Sequence, residues 1–309
     1  MTKQISMVLA LALGLASSGC IKKMLVDGQI ESTRKASAAV DTMSDYEAAN
    51  AIAFAGLGQF EGMHYLAPEN ENALFLLTKG WTGATFGFIE DQMEQAEDAE
   101  GTESPLYKYH QARARAGYDR AIFYGLELLE MRNEGFKDSR KNDETIKAWL
   151  ANFTTPEDAP NLFWTGYAWM AKVNVRDTSS EEASAAVGDL FIGVAMVERA
   201  VELDEGYNYG TAHIALGSYH ARTAMAELDE AKKHFDKAIA LSGGKVLMAK
   251  FQLAAKYYCM KGDKEGYVKT LNEVVSAGDV LPEQRLSNTI AKRRARRYLG
   301  ATRMKNCGF

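Results

Sequence analysis

The five histidines are the residues best suited to metal binding and acid–base chemistry, and their spacing does not form a recognised site. The sequence contains no H-E-x-x-H pair, and no cysteine stands at metal-ligand spacing from a histidine. His213 and His220 are seven residues apart and so share one face of a predicted helix. We interpret His213 as a packed, hydrogen-bonded residue; contact with a ligand or metal is the alternative. The sequence therefore predicts no metal site.

Motifs for nucleophilic catalysis and phosphate binding are also missing. There is no G-x-S-x-G turn, P-loop or G-x-G-x-x-G fingerprint, and Gly56-Leu57-Gly58 lies inside a helical pattern with no preceding strand. We therefore predict that the chain is not an enzyme, has no catalytic residues and uses no cofactor.

Aromatic residues are more informative, because they crowd two segments, one around Trp81 and one around Trp164. They could be ordinary core. Alternatively, they line the concave face of a helical array and form an apolar groove for a hydrophobic ligand or a partner's side chain. For a ligand conduit we name four candidates: Trp81, Trp164, Tyr167 and Tyr219.

Two clusters of like charge stand far apart in the sequence. Residues 90–103 carry seven acidic side chains and no basic one, and residues 292–305 carry seven basic side chains and no acidic one. Each could be a solvated surface, could steer docking of a partner or could pair between subunits. The basic helix could also rest on anionic lipid. The partner-docking candidates are Arg293, Arg294, Arg296 and Arg297.

Composition and periodicity indicate an all-α protein. Five prolines in 309 residues leave long runs of strong helix formers, and 47% hydrophobic residues suffice for a substantial core. The net charge of −5 argues against nucleic acid as a partner.

Small-large-small spacings indicate tetratricopeptide (TPR) helix pairs. The clearest runs from Ala231 through Phe235 to Ala238, and others begin at Ala114 and Gly56. We predict a continuous TPR-like α-α solenoid over residues 45–309, with about four degenerate repeats. A further N-terminal helix is expected from Met24 to about Met43 and a C-terminal one from Pro282 to Tyr298, and we expect the acidic segment that begins at Glu90 to be an exposed insertion.

The N-terminus is typical of a secreted protein. Residues 1–19 combine a basic head with a twelve-residue apolar run, too short for a membrane span but suited to a signal peptide. The residues before Cys20 resemble a bacterial lipobox, although Ser17 replaces the usual leucine. We expect lipidation at Cys20, with residues 20–44 as linker and N-terminal helix; ordinary cleavage after Ser18 or Gly19 is the alternative. Cys259 and Cys307 could pair, but we expect no disulfide.

Several longer segments resemble one family in order, from about Asp45 to Leu299. They include "DAPNLFWTGYAWMAKVNV", the run from Tyr207 to His213 and the run from Asn288. The family is the T-component of TPR-associated TRAP transporters. T-components are periplasmic lipoproteins. The resemblance implies docking of a periplasmic solute-binding protein, a homotrimer, and a cleft that passes an organic-acid or hydrophobic ligand. It also implies a lipid anchor, and we favour the inner leaflet of the outer membrane. A non-transport adaptor for envelope proteins is the rival hypothesis.

Overall fold

The computed structural model describes residues 23–175, 188–222 and 227–309. The signal peptide and the lipidation candidate Cys20 lie outside the described residues. Within the described ranges the regular structure is entirely helical, which confirms the all-α prediction. The helices are α1 (23–36), α2 (Tyr46–Leu66), α3 (Glu71–Ala84), α4 (Glu90–Glu100), α5 (Pro105–Arg132), α6 (Phe136–Ser139), α7 (Asp143–Leu150), α8 (Ala159–Asn174), α9 (Leu190–Leu203), α10 (Thr211–His220), α11 (Leu228–Leu241), α12 (Leu247–Gln252), α13 (Cys259–Lys261), α14 (Lys264–Ser276), α15 (Arg285–Tyr298) and α16 (Ala301–Asn306).

Two wide π-helical turns interrupt this pattern. The first, π1 (Thr85–Ile89), joins α3 to α4, and the second, π2 (Leu253–Tyr258), joins α12 to α13. Four 3₁₀ segments cover Ser37–Thr42, Pro156–Asp158, Tyr207–Gly210 and Pro282–Gln284. None of the described helices combines the length and the apolar composition that a bilayer crossing requires.

Local sequence explains where the principal helices begin. Asp45, Asn70 and Ser104 each accept a hydrogen bond from a backbone N–H in the first turn of the helix that follows. Such caps satisfy amide groups that have no partner within the helix. Pro105 stands at the first position of α5, where its missing N–H costs nothing.

The helix contacts close on themselves. Each helix in one series contacts the next, in the order α2, α3, α5, α8, α9, α10, α11, α12 and α15. Helix α15 also contacts α2 and the 3₁₀ segment Ser37–Thr42, which closes the series. Helix α1 packs against α3, where Ile30 is fully buried and Arg34 donates to the Asn72 amide oxygen at 2.6 Å. The C-terminal helix thus completes a ring that starts near the N-terminus.

Glycines permit the closest helix approaches in this ring. A Cβ on Gly166 of α8 would stand 2.7 Å from the carbonyl oxygen of Gly193 on α9. Gly217 of α10 similarly lies against the ring of Phe235 on α11. Phe235, Ala231 and Ala238 are fully buried, so the small-large-small spacing in the sequence does mark a helix contact.

The two charge clusters pair with each other within the chain. Helix α15 lies along α4, where Arg293 and Arg297 bind the carboxylate of Asp91 at 2.8 and 2.6 Å. Arg297 also bonds Glu94. The prediction that the acidic segment is an exposed insertion is therefore wrong. Asp91 is fully buried, and the arginines of α15 neutralise its charge there.

Arg294 lies at the centre of this network. Its side chain is 2% exposed, stands 3.7 Å from Glu90 and 3.8 Å from Glu94, and donates to the carbonyl of Phe86 in π1. Burial opposes ionisation of Arg294, but the carboxylates outweigh it and raise its pKa. Burial also raises the pKa of Glu90. One cation thus fixes α15 to both α4 and the first π turn.

A disulfide joins Cys259 and Cys307, so the expectation of two free thiols is wrong. The fold brings their Cα atoms to 5.0 Å because α16 returns the tail to α13, and the terminal Phe309 packs on Tyr267 with ring centroids 5.2 Å apart. Spacing along the sequence could not reveal this, since the two cysteines are 48 residues apart. A link closing a loop of that length stabilises a fold by about 4 kcal/mol through loss of chain entropy in the unfolded state.

Replacing Arg294 by leucine is predicted to lower the free energy of unfolding by about 3 kcal/mol, because it leaves buried carboxylates without their cation. The matched control is Arg296→Leu, two residues along the same helix, where the side chain is exposed. Its effect should stay within about 0.5 kcal/mol. Urea unfolding followed by circular dichroism measures both; equal effects would contradict the role given to Arg294.

Candidate ligand-binding cavity

A cavity of about 430 Å³ lies inside the ring of helices. Its wall combines α1, α2 and α3 with π1, α8, α10, α12 and α15, so distant parts of the chain meet there. The wall is mainly apolar and includes Phe60, Phe86, Phe88, Phe163, Trp164, Tyr167, Ile214, Met248, Leu286 and Ile290. Size and lining both suit a small organic molecule.

Aromatic side chains form one continuous side of this wall. The rings of Phe163 and Tyr167 stack with centroids 5.8 Å apart, and Tyr167 meets Phe86 edge-on at 5.9 Å. The indole N–H of Trp164 donates to the hydroxyl of Tyr207 at 2.9 Å. Burial raises the pKa of Tyr207 to about 12 and raises the pKa of Tyr167 as well. These hydroxyls stay neutral at physiological pH.

Two of the four candidate conduit residues line the cavity, namely Trp164 and Tyr167. Trp81 lies between core clusters and donates its indole N–H to Glu61 at 2.9 Å, away from the cavity. Tyr219 instead lies beside Arg222, whose guanidinium is 4.0 Å from the ring centroid. Helical periodicity placed all four on helices but could not tell which face each neighbour would cover.

Of the four arginines named as partner-docking candidates, three are bound within the chain and one is exposed. Arg294 is buried, and Arg293 and Arg297 are bound to α4, so these three are occupied within the chain. Arg296 is exposed. The long-range pairing with α4 carries no local sequence signal.

Charge at the cavity wall is confined to one ion pair among the described residues that line it. Lys79 of α3 binds Asp41 of the 3₁₀ segment at 3.0 Å, and its ammonium lies 5.9 Å from the centroid of the Trp164 ring. The pair leaves the lining with no net charge.

A strained turn supplies another part of the wall. Asn208, Tyr209 and Gly210 adopt left-handed backbone conformations with φ of 46°, 60° and 76°. The two non-glycine residues each cost on the order of 1–2 kcal/mol. The turn places Asn208 in the wall, where its Oδ1 accepts a hydrogen bond from Gln284 at 2.7 Å. Backbone strain of this kind concentrates at functional sites.

Sequence reasoning missed the polar members of this wall. Gln252 stands between the apolar residues Phe251 and Leu253, and that interruption was the available signal. The two π turns were also missed, although both border the cavity: Phe86 and Phe88 belong to π1, and Gln252 directly precedes π2. Insertions of this type are frequent at functional sites.

Three of the five histidines, His213, His220 and His234, form a small cluster, and none of them lines the cavity. His213 is buried, as predicted, and its Nδ1 lies 2.8 Å from Nδ1 of His234. Burial, and then the neighbouring His213, lower the pKa of His234 to about 4, so that ring is neutral at pH 7. In the described part of the chain, no group of His, Cys, Asp and Glu side chains is arranged to hold a metal ion.

A comparison with protein-family models bears on most of the cavity region. A family model described as "TRAP transporter T-component" matches residues 42–304. The matched range includes most of the cavity wall, and the wall residues between Thr33 and Asp41 precede it. No curated protein matches the chain.

Glu61 on α2 accepts hydrogen bonds from side chains of α3 and α5, and its ionisation makes the stability of this contact depend on pH. Burial raises its pKa, but hydrogen bonds from Arg120, Tyr124 and Trp81 outweigh burial and lower the pKa to about 2, from 4.5. Because the folded-state pKa is depressed, this stabilisation is complete above about pH 4.5 and is lost as the pH falls toward 2.

Glu61→Gln is therefore predicted to lower the free energy of unfolding at pH 7 by about 1–2 kcal/mol, since a charged acceptor is lost. Near pH 2 the difference from wild type should shrink. Glu69→Gln, at an exposed position in the turn before α3, is the control. Urea midpoints measured from pH 7 to pH 2 test this, and a difference independent of pH would refute it.

Proposed function

Because the chain belongs to the TRAP transporter T-component family, we propose that it is a non-catalytic component that docks the transporter's periplasmic solute-binding protein and passes a small ligand. The single observation that supports ligand passage is the apolar cavity inside the ring of helices. An adaptor that only scaffolds envelope proteins needs no such space, and its core would be filled by its own side chains.

The proposal includes the finer features that the sequence predicts. The chain is a TPR-like solenoid, is anchored through lipidated Cys20 in the periplasm and assembles as a homotrimer. The buried Ala231-Phe235-Ala238 contact and the closely approaching helix pairs support the repeat architecture. Arg296, exposed on α15, is the docking candidate.

Docking is tested by co-purification. The chain from Lys22 onward and the transporter's solute-binding protein are expressed together and purified through a tag on one of them at low salt. We expect a complex, and Arg296→Glu should weaken it, because exposed charges at an interface affect association. Failure of the well-folded protein to bind would overturn the docking role.

Ligand passage is tested by filling the cavity. Gly83 on α3 is exposed at the cavity wall, and a Cβ added there would meet no atom within 4 Å. Leucine at this position should therefore enter the cavity without displacing its neighbours. We predict that Gly83→Leu lowers the affinity for naphthalene, used as an apolar probe, at least tenfold in calorimetric titration.

Gly58→Leu is the matched control, because Gly58 is also an exposed helical glycine with free space around its Cβ but lies outside the cavity wall. Both variants remove a glycine from a helix interior and should gain up to about 1 kcal/mol of stability. Equal naphthalene binding by the two variants would show that the probe binds elsewhere.

A further inference from the structure

The cavity wall contains one buried polar group whose hydrogen-bonding capacity is unused. Gln252 is 8% exposed, and its Oε1 is buried without a hydrogen-bond partner among the described residues. A buried amide oxygen without a hydrogen-bond donor lowers the stability of the folded protein. Since Gln252 lines the cavity, a bound molecule can supply the missing donor.

The position of Gln252 on its helix places it at the cavity wall. Met248 lies one helical turn before it on α12 and also lines the cavity, so both share the face that points inward. The wide turn π2 begins at the next residue, Leu253. The amide therefore reaches the cavity from a regular helical position beside Met248.

Charge at the wall restricts what can bind there. Asp41 and Lys79 are the charged side chains among the described lining residues, and they neutralise each other at 3.0 Å. A carboxylate entering the cavity would meet a cation that is already paired with Asp41, and deeper in the apolar wall it would have no counter-ion, which is costly. A neutral molecule meets neither obstacle.

We propose that the cavity selects uncharged molecules with an apolar body and a hydrogen-bond donor, such as an amide or hydroxyl, that bonds Oε1 of Gln252. This inference rests on the proposed function and narrows its ligand from organic acids or hydrophobic molecules in general to neutral donors. Gln252 is then the residue that determines specificity.

The test uses three probes that share an eight-carbon acyl chain and differ at its carbonyl end: octanamide, which is a neutral donor; methyl octanoate, which has no donor; and octanoate, which is charged at pH 7.5. Calorimetric titration of the wild-type chain should give at least tenfold tighter binding of octanamide than of either other probe. Naphthalene, which has no polar group, reports separately whether the cavity is accessible.

The variant Gln252→Leu removes the amide at similar volume. It should reduce octanamide affinity about tenfold, the effect of one hydrogen bond, and leave naphthalene binding unchanged or stronger. Its melting temperature should rise, because an amide without a partner is replaced by an apolar side chain. Gln59→Leu, at an exposed glutamine of the same wall, should keep the wild-type preference for octanamide.

The outcomes separate this inference from the proposed function. The inference is overturned if octanamide and octanoate bind equally, or if Gln252→Leu keeps the wild-type preference for octanamide. If naphthalene still binds in either case, the proposal of ligand passage is unaffected. Failure of all four probes to bind the folded wild-type chain overturns both.

Discussion

The contact between Arg294 and helix α4 is the interaction on which the cavity depends. Helices α2 to α12 follow one another by contact, but a succession of helices encloses a space only if its last member returns to its first. Helix α15 makes that return, and a buried guanidinium between two carboxylates holds it there. Because a buried charge without its partner is costly, the ring has a strong preference for the closed arrangement.

The same cation connects the ring to the aromatic wall. Arg294 donates to the carbonyl of Phe86 and its guanidinium lies 4.4 Å from the centroid of that ring. Phe86 in turn meets Tyr167 inside the cavity. Arg294 therefore fixes both the carbonyl of Phe86 in the π turn and the Phe86 ring that lines the cavity. Elsewhere, glycine contacts such as Gly166 with Gly193 bring the backbones of neighbouring helices close together.

Local sequence features predicted the elements well, and pairing between distant elements poorly. Helix-forming composition and the Ala231-Phe235-Ala238 spacing each depend on neighbouring residues, and each matches the structure. The pairing of Arg293 with Asp91 joins residues 202 positions apart, and the Cys259–Cys307 bond forms only once α16 returns to α13. Periodicity also cannot choose between two buried faces, so it could not show that Trp164 lines the cavity while Trp81 packs against a core cluster.

An apolar space within a closed ring of helices is the central claim, and xenon tests it most directly, because apolar cavities take up this atom. Crystals of the protein pressurised with xenon should show ordered density between Phe86, Trp164 and Ile290, which line the cavity. Side chains filling that volume, with xenon bound only at the outer surface, would contradict the account.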